Sequence, residues 1–165
     1  MPLRTGAFTL VEMLLVVTFM AIFAGALMVS LRGRQDQHAL RTTAQDLCEA
    51  IRYAASQART TGTPCRVVFP KAMSEFHVEV LSGDEPAFLP VAGRAGLRKQ
   101  ITPGVEIAEF TPPIPPAAGG SDPDPALMFG ADGAGFSGQI ALKNRAGQTS
   151  HVRVLAETGE AYVQD

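Results

Sequence analysis

The sequence predicts an α+β fold in which a long N-terminal helix packs on an antiparallel β-sheet head. The first observation is that no proline lies between Pro2 and Pro64, and only Gly25 and Gly33 lower helix propensity after Ala7. The second is that eleven of the twelve prolines lie after that stretch, beginning with Pro64. The third is that short segments beyond it alternate apolar and polar residues, as strands do.

The first half of the helix, 8–31, is predicted to cross a membrane. From Met13 to Leu31 the chain has nineteen residues without a charge. At about 1.5 Å per residue, such a helix spans roughly the 30 Å hydrocarbon core of a bilayer. In a secretory signal peptide the small residues of the cleavage site follow the apolar run. Here Gly6 and Ala7 precede it, so cleavage at that point leaves the apolar helix on the mature chain.

The second half of the helix, 32–62, is predicted to be amphipathic and to lie on the sheet. Its apolar residues recur at helical spacing, which indicates one buried stripe. Gly62 followed by Pro64 is a typical helix stop. The stripe consists of Leu40, Ala44, Leu47, Cys48, Ile51, Ala54, Ala55 and Ala58.

The remainder, 63–165, is predicted to form a β-rich head. Strands that alternate apolar and polar residues suit an antiparallel sheet with its apolar face on the helix. The stretch 111–125 is rich in proline and glycine and is predicted to be a loop. The predicted strands are Arg66–Phe69, Glu75–Leu81, Val105–Phe110, Leu127–Phe129, Gln139–Lys143, His151–Leu155 and Glu160–Gln164.

No group of residues in the sequence predicts catalysis, a metal or a cofactor. The glycines from Gly133 to Gly138 match G-x-G-x-x-G, but they lead into a strand pattern rather than a helix, so a β-turn is expected. His38, His77 and His151 stand apart in the sequence and are expected at the surface. The net charge of −2 provides no basic stripe, and no nucleic-acid partner is expected.

The two cysteines, Cys48 and Cys65, are predicted to remain free thiols. Cys48 lies about 18 Å from the end of the helix near Thr60. Cys65 lies only about 10 Å along the strand that runs back from that end. The remaining axial offset exceeds the Cα separation of about 7 Å that a disulfide bridge tolerates.

The N-terminal residues resemble the class III signal of type IV pilins and type II secretion pseudopilins. A short basic leader, 1–7, is followed by Phe8-Thr9-Leu10-Val11-Glu12 and the apolar run. The resemblance implies that a membrane prepilin peptidase removes the leader and methylates the new N-terminus. Cleavage after Gly6 makes Ala7 the methylated residue and Glu12 the sixth. Cleavage after Ala7 makes Phe8 the methylated residue and Glu12 the fifth, and both alternatives remain open.

Glu12 is the predicted assembly residue. A carboxylate at the edge of a membrane helix is costly without a partner, and such residues are usually functional. The resemblance implies that Glu12 pairs with the N-terminal amine of a neighbouring subunit. The alternative is that the side chain only reaches back to the lipid headgroups.

The head resembles the GspH/FimT group of minor pilins and pseudopilins. The stretch 50–69 is similar to the junction between helix and first strand in that group, and 129–142 with Thr158-Gly159 is similar to its C-terminal strands and turns. The resemblance implies a minor pseudopilin at or near the tip of a periplasmic type II secretion filament, which helps move folded proteins across the outer membrane. The alternative is a FimT-like minor pilin, which primes assembly or takes up DNA, although the acidic end 157–165 disfavours DNA capture.

The implied partners are other pilin or pseudopilin subunits, the prepilin peptidase and inner-membrane lipid. The implied location is the inner membrane, crossed once, with the head in the periplasm.

Overall fold

The computed structural model describes residues 9–70, 73–83, 87–93, 96–110 and 124–164, apart from the side chains of 27–33. The chain divides into two compact units, Met1–Gln35 and Asp36–Asp165. Helix α1 is Leu10–Thr61 and contributes to both units. Its described side chains fall in 10–26 and 34–61, and each unit is considered by itself below.

The ends of α1 follow from local chemistry. Thr9 precedes the first helical residue, and its Oγ1 accepts a hydrogen bond of 3.2 Å from the amide of Glu12. This is the N-cap arrangement, which satisfies a backbone donor that has no partner inside the helix. At the other end, Gly62 has φ of 64° and follows the last helical residue, as a C-terminal glycine cap does.

The head contains two antiparallel sheets rather than the one predicted. The strands are β1 Cys65–Val68, β2 Glu75–Leu81, β3 Phe88–Pro90, β4 Lys99–Gln100, β5 Val105–Phe110, β6 Ala126–Phe129, β7 Gly138–Asn144, β8 Thr149–Val154 and β9 Ala161–Gln164. The first sheet has the order β3-β2-β1-β6, and β4 also pairs with β2. The second has the order β5-β7-β8-β9. The chain therefore changes sheet before β5, before β6 and before β7, which strand periodicity does not indicate.

Most strands lie where the alternation of residues predicts them. The bounds of β2 and β5 are as expected, and the other five predicted strands differ by one or two residues at an end. The sequence does not predict β3 and β4, because two or three residues are too few to show a period and Pro90 disfavours a strand. Most of the predicted loop 111–125 lies outside the described residues.

The predicted stripe of the second helix half is confirmed at all eight positions, each no more than 5% exposed. It belongs to one buried cluster together with residues of both sheets. Burial of a Leu or Ile side chain contributes roughly 1.5–3 kcal/mol, so this cluster supplies the main stabilisation of the head. Its sheet members include Val67, Val78, Phe129, Ile140, Leu142, Val152 and Val154.

Within the described part of the chain, no helix has both the length and the apolar character that crossing a membrane requires. The predicted membrane half, 8–31, includes Phe8 and the side chains from 27 onward, which lie outside that part.

Candidate functional site

The start of α1 brings together two residues of the N-terminal motif, Thr9 and Glu12. Besides the N-cap bond, the amide of Met13 donates to the carbonyl of Thr9 at 3.2 Å. Threonine followed three residues later by glutamate is the sequence of a capping box. A helix therefore begins directly at this motif, with Glu12 in its first turn. A carboxylate in that turn is also favoured by the helix dipole.

The side chain of Glu12 is exposed, and among the described residues its carboxylate has neither a hydrogen bond nor an ion pair. The carboxylate is therefore accessible to a cation from another molecule. The residues predicted around the leader cleavage, Gly6, Ala7 and Phe8, lie outside the described residues. The structure therefore places only Glu12 among the predicted site residues.

Around Glu12, the first unit exposes large apolar side chains on all faces of the helix. Their exposed fraction runs from 42% at Val16 to 83% at Leu10. Water solvates such a surface poorly, and a helix that is apolar all round requires other helices or lipid. These residues are Leu10, Val11, Met13, Leu14, Leu15, Val16, Val17, Phe19, Met20, Ile22 and Phe23.

In the head, two glycines allow the helix to approach two turns closely. Gly159 has φ of 61°, and a Cβ added there would overlap the Cβ of Ala55 and lie 2.9 Å from the carbonyl oxygen of Gly133. Gly133 has φ of 74°, and its added Cβ would lie 2.7 Å from the carbonyl oxygen of Ala55. Both positions therefore require glycine for conformation and for space.

Two arginines of α1 form hydrogen bonds to backbone carbonyls in the C-terminal part of the head. Arg52 Nε donates to the carbonyl oxygen of Ala161 at 2.7 Å, and its Nη2 donates to the same oxygen. Arg59 Nη2 donates to the carbonyl of Thr158. Hydrogen bonds from a charged donor contribute about 1.5–3 kcal/mol in favourable cases, with less at exposed sites. In the sequence both arginines lie outside the apolar stripe, and nothing there indicates these contacts.

The expectation for His77 was wrong, because the imidazole is buried, with its side chain only 7% exposed. Its Nε2 lies 3.0 Å from Glu79 Oε1, and Arg66 lies 2.7 Å from the other oxygen of that carboxylate. His77 alternates with Phe76 and Val78 along β2 and so lies on the opposite face of the strand, where a polar side chain normally meets water. The predictions for His38, which is exposed, and for His151, which is partly exposed, are consistent with the structure.

The glycine-rich segment is a turn, as predicted. The amide of Gly133 donates to the carbonyl of Gly130 at 2.8 Å, and Gly138 is the first residue of β7. A dinucleotide site needs a helix at this place. Both cysteines are free and buried. Within the described residues, no group of three or more histidine, cysteine or acidic side chains could hold a metal ion.

The sequence contains a signal for the helix cap at Thr9 but none for the contacts of the two arginines. The pattern Thr9-x-x-Glu12 before an apolar run is a recognised capping signal and could have been read from the sequence. The contacts of Arg52 and Arg59 join residues about a hundred positions apart, and no local pattern indicates them.

Comparisons with known proteins identify the fold. No known family model and no curated protein sequence matches this chain. Two solved structures match, both of the minor pseudopilin EpsH from the type 2 secretion system of Vibrio cholerae. One has 12% sequence identity and a TM-score of 0.57, covering 76% of this chain and 95% of the other. The second has 11% identity and the same TM-score, covering 76% and 93%. The chain therefore has a pilin-like, minor-pseudopilin fold.

Proposed function

We propose that this chain is a minor pseudopilin of a type II secretion system, a structural subunit at or near the tip of a periplasmic pseudopilus. The observation that carries the proposal is that the fold agrees with a minor pseudopilin over 95% of that protein's chain. In this role the subunit helps to move folded proteins across the outer membrane. The proposal assigns assembly, not catalysis, to the chain.

The first unit supports the assembly role. Its exposed apolar residues would be covered by lipid before assembly and by the helices of neighbouring subunits afterwards. The accessible carboxylate of Glu12 would pair with the N-terminal amine of a neighbour, which fixes the axial register of the two subunits. Pairing is favourable there because an ammonium and a carboxylate attract strongly where water is scarce.

The proposal includes processing and location. The prepilin peptidase would remove the leader after Gly6 or Ala7 and methylate Ala7 or Phe8. The apolar helix half would then hold the subunit in the inner membrane, with the head in the periplasm. The helix would continue from the membrane half into the head.

The experiment is deletion of the gene in its source bacterium, followed by complementation with the full chain. We expect the deletion to retain exported proteins in the periplasm while surface pili remain, and the full chain to restore export. Normal export together with lost pili would contradict the secretion role and favour the alternative, a FimT-like minor pilin. Restoration of export by a chain lacking residues 9–31 would contradict the assembly role of the first unit.

A further inference from the structure

A cavity of about 440 Å³ opens on the head between α1 and the edge of β2. The apolar residues Ala50, Phe76 and Val78 are among those that line it. The space lies beside β2 where neither β3 nor β4 pairs with His77. A volume of this size accommodates a long side chain with part of its backbone.

The rim of the cavity is acidic on the helix side. Asp46 and Glu49 lie one turn apart on α1, and both line the space. Asp46 is paired with Lys99, whose Nζ lies 2.6 Å from Oδ1. Among the residues that the structure describes, Glu49 has no ion pair. Arg52, the next cation along the helix, instead donates to the carbonyl of Ala161. The rim therefore keeps one carboxylate without a counter-charge.

His77 adds a second group that lacks a donor. Its Nε2 lies at hydrogen-bond distance from Glu79, so in the neutral ring Nδ1 is the acceptor nitrogen. Nδ1 is buried and has no hydrogen-bond partner in the described structure. His77 also lines the cavity. Because Nδ1 has no accessible surface, an occupant of the cavity does not reach it, and Glu49 is the accessible acceptor that favours an occupant rich in donors.

The outer rim suits a side chain with an aliphatic stem. Leu97 is 66% exposed and Tyr53 is 36% exposed, and both line the cavity. Arginine and lysine bury their methylene stems on such surfaces while the charged head remains at a polar edge. Arginine carries five donors and no acceptor, and it stacks on aromatic rings. Lys99 already shows that a cation is held at this rim.

We propose that this cavity is a docking site for a short basic segment of a neighbouring subunit, with an arginine or lysine side chain entering against Glu49. The inference rests on the proposed function for the identity of the partner. The charge complementarity would direct which subunit lies beside the head, because like-charged surfaces are excluded.

The test uses tyrosine fluorescence. The chain has no tryptophan and two tyrosines, Tyr53 and Tyr162. In the full chain with Tyr162→Phe, kept in detergent, all tyrosine fluorescence comes from Tyr53 at the cavity. A capped Ala-Arg-Ala peptide is titrated into this protein. The control peptide carries citrulline, which has nearly the shape of arginine but no charge.

We expect a saturable change of fluorescence with the arginine peptide at millimolar concentration and none with the citrulline peptide. Glu49→Gln should weaken binding about three- to tenfold, whereas the matched variant Glu157→Gln, on an exposed turn, should leave it unchanged. Equal responses to both peptides, or unchanged binding by Glu49→Gln, would overturn the inference. So would the absence of any saturable response. Since the titration needs no filament, its failure is distinct from a failure of the deletion experiment.

Discussion

At the scale of the residue, Glu12 takes part in the start of its own helix and has a proposed role towards another subunit. The backbone amide of Glu12 takes part in the N-cap through Thr9. Its carboxylate is accessible to a partner. Substitutions at Thr9 and at Glu12 distinguish helix capping from pairing with another subunit. Thr9 supplies the capping oxygen, whereas Glu12 alone supplies the charge.

We expect Glu12→Gln to lower co-purification with neighbouring subunits strongly while membrane insertion stays normal. Glutamine keeps the size of the side chain and suits a capping box, but it cannot neutralise an N-terminal ammonium. Loss of a charge at a membrane helix should ease insertion by up to about 2–3 kcal/mol at depth, and by less near the interface. Affinity capture from native membranes, with membrane fractionation, measures both quantities.

The matched variant is Thr9→Val, which removes the cap and keeps the carboxylate. Its cost is about 0.5–2 kcal/mol of helix stability at the first turn, and co-purification should be mildly affected. If Thr9→Val is as defective as Glu12→Gln, the motif acts by capping and the pairing role is wrong. Normal co-purification of Glu12→Gln would exclude Glu12 as an assembly residue.

Gly159 and Gly62 test whether the close approach of the helix requires glycine. Both have nearly the same φ, 61° and 64°. A Cβ at Gly62 meets nothing within 4 Å, whereas one at Gly159 overlaps Ala55. Gly62→Ala should therefore cost only the backbone strain of about 1 kcal/mol. Gly159→Ala should cost that plus about 1–3 kcal/mol of overpacking.

Denaturant unfolding of the two variants, followed by circular dichroism, measures the difference. Equal destabilisation by the two substitutions would show that conformation alone requires glycine at Gly159, and that the contact with Ala55 relaxes without cost.

The buried cysteines make the stability of the head depend on pH in the alkaline range. Burial raises the pKa of the Cys48 thiol to about 11 from an ordinary value of 9.0, and burial also raises the pKa of Cys65. The unfolded chain then loses the Cys48 proton at lower pH than the folded chain. The stability that this thiol contributes is complete below about pH 9 and is lost as pH rises towards about 11.

We therefore expect slow alkylation of both thiols by iodoacetamide at neutral pH, and rapid alkylation after unfolding in denaturant, because the thiolate is the nucleophile. Mass spectrometry counts the modified sites. A Cys48→Ser, Cys65→Ser chain is the control for reaction at other groups. Rapid alkylation of the native head at neutral pH would contradict the burial of the thiols.

At the scale of the element, α1 combines two surfaces that need different surroundings. The first helix half exposes apolar residues on all sides, whereas the second buries its stripe in its own head. The stripe predicted for the second half is confirmed, and the described side chains of the first half, up to residue 26, are exposed. The reason is physical, because apolar residues in every direction and apolar residues on one face require different partners.

We expect a chain without residues 1–31 to be soluble and to unfold cooperatively. The remaining helix residues pack on strands of the same unit, so the fragment keeps its buried cluster. Sedimentation and thermal unfolding by circular dichroism test this. In the same fragment, Ile51→Ala should lower stability by about 2–5 kcal/mol. An aggregated fragment without a cooperative transition would show that the head depends on the first helix half.

At the scale of the whole molecule, the mature chain is expected to lack the leader and to carry a methylated N-terminus. The basic leader that ends in Gly6 and Ala7 is the observation behind this prediction. Intact mass of protein extracted from membranes decides it, and the two cleavage alternatives differ by the mass of one alanine residue. Cells without the prepilin peptidase provide the unprocessed control. A mass that retains the leader in peptidase-positive cells would contradict the processing.

Much of this molecule follows from the sequence alone. The α+β class, the stripe from Leu40 to Ala58, the end of the helix near Gly62 and seven of the nine strands can be read there. Each of these depends on residues close together in the chain, where period, proline and glycine act directly. Glu12, the residue proposed for assembly, also lies within a local motif.

Only the tertiary structure decided how these elements combine. The division into two sheets, the burial of His77, the contacts of Arg52 and Arg59 and the acidic cavity all arise from pairs of residues far apart in sequence. Periodicity says which face of a strand is apolar, but not which strand or helix will cover that face. The strand ladders and the close approach at Gly159 select among those partners, because only complementary surfaces pack without voids or overlap.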